Sequence, residues 1–177
     1  MTQQNELKNE PSGKELVIIR VFNAPRDVVF KMWTEARHLE KWWGPKGVDI
    51  IVKKFDFQPE GIFLYCMAGE GFEMWGRFEY LEIVEPEKIV FINSFSDKDG
   101  NIARAPFSAT WPLEVKNTLT LTEDEGKTTL TLRGGPHNAT EEEHRFFEGM
   151  FDSMNQGFAG TFEQLDEYLA DICAEKE

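Results

Sequence analysis

Residues 140–170 read TEEEHRFFEGMFDSMNQGFAGTFEQLDEYLA, and their apolar positions decide the fold. The apolar side chains recur at steps of three and four residues, which places them on one helical face: Phe147, Phe151, Met154, Phe158, Phe162, Leu165 and Leu169. Thr140 and the glutamates after it are typical of a helix N-terminus. The pattern predicts one continuous helix of about seven turns whose apolar face requires a large apolar partner.

The sequence before this helix supplies that partner as a sheet. Apolar and polar residues alternate, with Gly, Pro or acidic turns between the runs, through residues 48–57, 61–68, 72–84, 88–95, 111–121 and 128–133. Such runs predict hairpins and an antiparallel meander. After Tyr80 the apolar phase slips by one residue, as it does at a β-bulge. Together with a first strand at residues 15–23, this gives about six to seven strands.

Two short helices are predicted after the first strand. Pro25 opens the first helix, and Thr34 is expected to be the N-cap of the second. The dipeptide Gly44-Pro45 ends the second helix directly after two adjacent tryptophans, Trp42 and Trp43. Because neighbouring side chains on a helix point about 100° apart, one tryptophan belongs in the core and the other faces a cavity or solvent. Which one does so is left open.

The whole pattern predicts an α+β fold in which a curved antiparallel sheet surrounds a long C-terminal helix. With 177 residues and no internal repeat, the chain has the length of one domain, which we expect at residues 15–173. Residues 1–14 are polar and are expected to form a disordered tail.

Composition limits the classes of function. The net charge of −13 disfavours nucleic acid and membrane surfaces as partners. No apolar run approaches the length of about 18 residues that a membrane span requires, and we expect no signal peptide. Cys66 and Cys173 lie far apart in sequence, which predicts a reducing, cytoplasmic location. The 15 Phe, 5 Trp and 3 Tyr residues suggest a cavity or an interface.

Three segments resemble one protein family. They are RVFNAPRDVVFKMWTEARHLEKWWGPKG (20–47), GRFEYLEIVEPEKIVFINSFSDKDG (76–100) and GGPHNATEEEHRFFEGMFDSMNQGFAGTFEQLDEYL (134–169). The first resembles the opening signature of the AHSA1-like family (activator of Hsp90 ATPase homologue 1-like), which belongs to the SRPBCC, or START/Bet v 1-like, superfamily. The other two resemble its later hairpin and its terminal helix, although Phe158 stands where the family often has Trp. The resemblance implies a helix-grip fold with a cavity between sheet and helix.

The resemblance also implies a function, namely the binding of a small hydrophobic or aromatic molecule. Two alternatives stay open, a polyketide cyclase or aromatase and a regulator of the chaperone Hsp90. No catalytic or metal-binding motif is recognised, and Glu141 with His144 is a solvated pair at the helix start. The sequence therefore favours binding over catalysis, with no cofactor and no metal. A homodimer and an interaction with Hsp90 are left open.

The candidate cavity residues lie on strand faces turned towards the terminal helix, on that helix and at the tryptophan pair. They are Trp42, Trp43, Tyr65, Phe72, Met74, Phe78, Phe91, Asn93, Trp111, Asn117, Phe147, Phe151, Met154, Gly157 and Phe158, with Phe95 as a further aromatic side chain. Asn93 and Asn117 share the phase of apolar neighbours, so their amides are expected to be buried and in need of hydrogen-bond partners. The helix glycines, including Gly157, indicate either a bend or room for a ligand.

Overall fold

The computed structural model describes residues 14–175 of the chain. Its elements are β1 (Leu16–Phe22), α1 (Arg26–Thr34), α2 (Ala36–Trp42), β2 (Asp49–Phe55), β3 (Ile62–Gly69), β4 (Phe72–Val84), β5 (Lys88–Ser96), β6 (Val115–Asp124), β7 (Lys127–Pro136), α3 (Glu141–Gly149) and α4 (Phe151–Glu175). The α+β helix-grip fold is confirmed. The predicted tail at residues 1–14 lies outside the described residues, apart from residue 14.

The seven strands form one antiparallel sheet in the order β1-β7-β6-β5-β4-β3-β2. Strands β2 to β7 form a meander, and β1 joins it at the far edge, where Leu16 lies opposite Gly134. The register shifts after Tyr80, so the predicted bulge is confirmed, and a second shift follows Val52. Since β1 and β2 occupy opposite edges, α1 and α2 connect the two ends of the sheet.

The C-terminal half of α4 fills the main core. Phe162 and Leu165 are fully buried, and Leu169 is nearly so. The Phe162 ring contacts Phe22 of β1 edge to face and stacks on Trp42 of α2, with ring centroids 6.0 Å and 6.2 Å away. This half of the helix therefore joins the sheet to the short helices.

The prediction of one continuous terminal helix is wrong, because α3 ends at Gly149 and α4 begins at Phe151. Met150 between them has φ −101° and ψ 8°, outside the helical range. A glycine costs a helix about 1 kcal/mol relative to alanine, so Gly149 weakens the helix where it breaks. The predicted N-cap is confirmed: Thr140 Oγ1 accepts a hydrogen bond from the Glu143 N–H, and Glu143 Oε1 accepts one from the Thr140 N–H.

Two predicted boundaries also need correction. Thr34 is the last residue of α1, where its hydroxyl donates to the Lys31 carbonyl, and Glu35 takes the N-cap position of α2. The predicted strand at residues 111–121 begins only at Val115, since Pro112 cannot donate to a sheet ladder. Trp111 therefore lies in the connection before β6. Within residues 14–175, no helix has both the length and the apolar character that crossing a membrane requires.

Candidate functional site

A cavity of about 330 Å³ lies between the sheet and the N-terminal half of α4. We call the residues that line it the cavity wall: Leu16, Trp43, Gly44, Pro45, Tyr65, Met67, Gly76, Phe91, Asn93, Ser94, Phe95, Trp111, Val115, Asn117, Leu132, Gly134, Phe147, Met154, Gly157, Phe158 and Thr161. The cavity is partly open to solvent. Exposed Gly157 belongs to the wall, and a Cβ at this glycine would meet no atom within 4 Å.

The cavity exists because the apolar side chains form two clusters instead of one. The larger cluster contains Phe162, Leu165 and Leu169 of α4. The smaller cluster consists of Leu16, Val115 and Phe147. Ile18 and Phe158 pack against both clusters, and cavity-wall residues lie between them.

The two halves of α4 differ in burial in the same way. Phe162, Leu165 and Leu169 are buried, whereas Phe151, Met154 and Phe158 are only partly buried although they continue the same apolar stripe. A helix normally buries its apolar stripe against a partner. The N-terminal half of α4 therefore stands over space that the sheet does not fill.

The structure assigns different places to the two adjacent tryptophans. Trp42 is buried in the core, and its indole N–H donates to the Met32 carbonyl at 3.2 Å. Trp43 is half-buried in the cavity wall, where its ring contacts Phe78 and Phe158 with centroids 5.2 Å and 6.5 Å away. The question that the sequence left open is thus answered: Trp42 is a core residue, and Trp43 borders the cavity.

The turn at residues 43–47 is held against α4 by polar contacts. The Thr161 hydroxyl and the Gln164 amide both donate to the Gly44 carbonyl, at 3.0 Å and 2.8 Å. Lys46 also pairs with Glu163. Gly44 has φ +94°, in the left-handed region that favours glycine, and a Cβ there would lie 2.8 Å from Ile50. These contacts fix one rim of the cavity.

A polar group in the wall is centred on Tyr65, which is buried. The Asn93 amide donates to the Tyr65 hydroxyl at 3.4 Å and to the Arg77 carbonyl at 3.0 Å. Burial raises the pKa of Tyr65, and hydrogen bonds from Trp43 and Asn93 offset only part of that rise. The Tyr65 hydroxyl therefore keeps its proton at neutral pH.

Two strand glycines make room for polar side chains of the wall. Tyr65 lies opposite Gly76 in the sheet, and a Cβ at Gly76 would fall 2.7 Å from the Tyr65 hydroxyl oxygen. Asn117 lies opposite Gly134, and a Cβ there would fall 2.3 Å from Asn117 Oδ1. Each polar side chain thus lies over a glycine on the next strand, a position that any larger residue would obstruct.

The connection between β5 and β6, residues 97–114, contributes Trp111 to the wall. The Trp111 ring contacts Phe147 of α3 with centroids 5.4 Å apart. Arg104 holds this connection to α3, because its guanidinium donates to the Trp111 carbonyl at 3.1 Å and to Glu143 Oε2 at 2.6 Å. Burial raises the pKa of Glu143. Hydrogen bonds from Arg104 and Thr140 lower the pKa by a larger amount, so it lies below the usual value.

The structure brings many of the candidate residues together. Those in the cavity wall are Trp43, Tyr65, Phe91, Asn93, Trp111, Asn117, Phe147, Met154, Gly157 and Phe158. Asn117 is buried, as its phase predicts, whereas Asn93 is half-buried. Whether any of these residues binds a ligand stays a prediction.

Five candidates lie outside the cavity wall: Trp42, Phe72, Met74, Phe78 and Phe151. Trp42 and Phe78 are buried in the larger cluster, where the Phe78 ring stacks on Phe91 at 4.2 Å. Phe72 starts β4 beside a turn and is exposed, and Met74 is two residues further along the same strand end. Phe151 packs with the smaller cluster beside Phe147.

Sequence reasoning missed several members of the wall, above all Met67, Gly76 and Gly134. A glycine inside a strand pattern signals a close approach of other atoms, and this signal was available for both glycines. The alternation of large apolar side chains, in contrast, gives no indication of a glycine in the wall.

The fold and the cavity define a helix-grip protein with a partly open cavity beneath its last helix. The chain belongs to the family described as activator of Hsp90 ATPase homolog 1-like protein, whose family model matches residues 23–170. Among curated proteins, none matches this chain.

Solved structures share the fold of this chain. Protein Ms6760 from Mycobacterium smegmatis is 29% identical with a TM-score of 0.72, and the match covers 88% of this chain and 90% of that chain. A protein from Arthrobacter aurescens is 26% identical with a TM-score of 0.74, over 89% and 86% of the two chains. An AHSA1 protein from Silicibacter pomeroyi is 21% identical with a TM-score of 0.64, over 89% and 98%, a likeness that concerns the fold.

Proposed function

We propose that the protein binds a small hydrophobic or aromatic molecule in the cavity between the sheet and α4. The observation that carries this proposal is a mostly aromatic and apolar wall around about 330 Å³, with buried polar side chains at Tyr65 and Asn117. Small-molecule sites combine an apolar lining with a few placed polar groups. The volume is near the lower end of the range of about 300–1,000 Å³ for such sites, so it suits a ligand of one or two rings.

Binding accounts for the wall better than acid–base catalysis does. Within the described residues, Tyr65 is the only ionisable side chain of the wall. Its pKa is raised, so it cannot serve as a base near neutral pH. General acid–base catalysis works best when the pKa of the catalytic group is near the working pH. A cyclase or aromatase activity would have to rely on neutral hydrogen bonds alone.

The family description supplies the second alternative, stimulation of the Hsp90 ATPase. No contact or surface of the described residues favours it over ligand binding. We place the binding protein in the cytoplasm, where Cys66 and Cys173, both free thiols, would remain reduced. A net charge of −13 disfavours nucleic acid and anionic membranes as partners.

The proposal is tested by screening neutral aromatic metabolites and lipids for a rise in melting temperature, with mass spectrometry to detect turnover. Two glycines of α4 provide a matched pair of variants. A Cβ at either Gly157 or Gly160 would meet no atom within 4 Å, but only Gly157 belongs to the wall. We expect Gly157→Leu to weaken the binding of a screening hit at least tenfold and Gly160→Leu to leave it unchanged.

Both variants should fold, since leucine favours a helix over glycine by up to about 1 kcal/mol. A screen without hits, or hits that bind both variants equally, would overturn the proposal. Stimulation of the Hsp90 ATPase by a protein that binds none of the panel would favour the chaperone alternative instead.

A further inference from the structure

We infer that the ligand is an uncharged molecule with a hydrogen-bond-accepting oxygen, such as a ketone or ester carbonyl, that receives the hydroxyl proton of Tyr65. The inference rests on the proposed function and specifies the chemistry of the ligand. It follows from the hydrogen bonds that the wall already makes and from those that it leaves unmade.

The Tyr65 proton has no acceptor among the described residues. Asn93 Nδ2 donates to the Arg77 carbonyl, which can only accept, so the atom that approaches the Tyr65 hydroxyl is fixed as a donor. The Trp43 ring, whose centroid lies 6.4 Å from that of Tyr65, carries an indole N–H that can only donate and so offers the Tyr65 proton no acceptor. The contact with Asn93 therefore uses the hydroxyl oxygen and leaves its proton unused. A buried hydroxyl proton requires an acceptor, which the cavity side can supply.

Asn117 marks a second polar position in the wall. Its Nδ2 donates to the Val115 carbonyl at 3.3 Å, and its Oδ1 accepts no hydrogen bond from the described residues. In the ladder between β5 and β6, Asn117 pairs with Phe91 and Asn93 pairs with Val115, so the two amides are diagonal neighbours. A hydroxyl or N–H elsewhere on the ligand would satisfy Asn117.

The wall also excludes charged ligands. Among residues 14–175, it contains no Lys, Arg, His, Asp or Glu. A carboxylate that entered the cavity would lose its hydration without gaining a cationic partner, which is strongly unfavourable. A neutral carbonyl loses far less hydration and gains the Tyr65 proton. The wall therefore discriminates between a ketone and a carboxylate of the same shape.

Three naphthalenes substituted at the same ring carbon test the inference by calorimetry: the methyl ketone, its isopropenyl isostere, in which CH₂ replaces the carbonyl oxygen, and the carboxylate. We expect the ketone to bind about three- to tenfold more tightly than the isopropenyl compound, as one net hydrogen bond implies. The carboxylate should bind at least tenfold more weakly than the ketone.

Tyr65→Phe should reduce the affinity for the ketone to that for the isopropenyl compound, whose own affinity should not change. Tyr80→Phe is the control, because Tyr80 is equally buried, lies outside the wall and has a hydroxyl without a partner among the described residues. It should bind all three compounds as the wild type does.

Equal affinities for the ketone and the isopropenyl compound, or tight binding of the carboxylate, would overturn the inference while the proposed function stands. These two comparisons use the wild-type protein alone, so they hold even if Tyr65→Phe fails to fold. Full ketone affinity in Tyr65→Phe would also overturn the inference. If none of the three compounds binds and the wider screen has no hits, the proposed function itself fails.

Discussion

At the scale of single residues, the polar chemistry of the cavity depends on glycines. The Tyr65 ring packs against Phe63 and Phe78, with ring centroids 4.7 Å and 5.9 Å away. Its hydroxyl lies over Gly76, where a Cβ would fall 2.7 Å from the hydroxyl oxygen. A strand glycine normally weakens a sheet, and here the weakness is offset by the placement of a polar side chain.

This dependence predicts the effect of Gly76→Ala. The new methyl group would lie 2.7 Å from the Tyr65 ring carbon and hydroxyl oxygen, so the ring or the strand has to shift. We expect a loss of about 1–3 kcal/mol in the free energy of unfolding, the usual cost of overpacking, measured by urea denaturation. Gly160→Ala is the control and should stabilise the helix by up to about 1 kcal/mol. A Gly76→Ala protein of wild-type stability would show that Tyr65 does not need this space.

The sequence predicted some residues of this site and not others for a clear reason. Asn93 and Asn117 share the phase of apolar neighbours, and that phase is visible in a strand pattern. The division between Trp42 and Trp43 was not visible, because it depends on where α2 ends relative to Phe162 and Phe158 of α4. Tertiary contacts of this kind are not encoded in local periodicity.

At the scale of elements, α4 combines a packed half with a half that borders the cavity. Leu165→Ala in the packed half should cost about 2–5 kcal/mol of unfolding free energy, because transfer and cavity terms add at a fully buried site. Met154→Ala should cost less than about 2 kcal/mol, since this partly buried side chain has fewer neighbours to lose beside existing space. Equal losses in the two variants, measured by urea denaturation, would mean that the N-terminal half of α4 is packed as tightly as the rest.

The ion pair between Arg104 and Glu143 predicts a pH dependence for the connection at residues 97–114. The folded state lowers the pKa of Glu143 below its ordinary value of 4.5. Its contribution to stability is therefore complete above pH 4.5 and is lost as the pH falls through the folded-state pKa. Glu143→Gln removes the charge but keeps a side chain that can complete the capping box. The loss in the free energy of unfolding should therefore be largest near neutral pH and should vanish in acid.

We expect that loss to be below about 1 kcal/mol, because Arg104 is nearly half exposed and solvent screens the pair. Glu141→Gln on the same turn removes an exposed pair with Arg145 and serves as the control. Urea denaturation at several pH values measures both variants. A difference between Glu143→Gln and the wild type that grows in acid would contradict the lowered pKa.

The sequence predicted those helices and strands whose residues follow a regular apolar spacing. The strands, the bulge after Tyr80 and the Thr140 cap all follow from residue spacing. The break at Met150 was missed because the apolar stripe continues across it from Phe147 to Phe151 in the helical step. A stripe reports which face is buried, whereas the break depends on the local cost of Gly149 and on how α3 packs against β7.

At the scale of the whole molecule, the cavity lies between two apolar clusters. The apolar stripe of the last two helices contributes Phe147 to the smaller cluster and Phe162 to the larger one. The sheet contributes polar side chains, among them Tyr65 and Asn117 over their glycines. The 43–47 turn forms one rim, and the connection at residues 97–114 adds Trp111. The residue pattern predicted the fold, and the family resemblance implied a cavity between the sheet and the last helix. The sequence could not predict the cavity volume, because volume depends on how far the helix is held from the sheet.

The methionine methyl groups provide the most direct test of the central claim that this cavity binds a small neutral aromatic molecule. Met67 and Met154 belong to the wall, whereas Met32 is buried in the core. In a titration with methyl naphthyl ketone followed by methyl NMR, the Met67 and Met154 signals should shift with saturation while that of Met32 stays in place. A saturable shift confined to Met32, or no shift at Met67 and Met154, would contradict the claim.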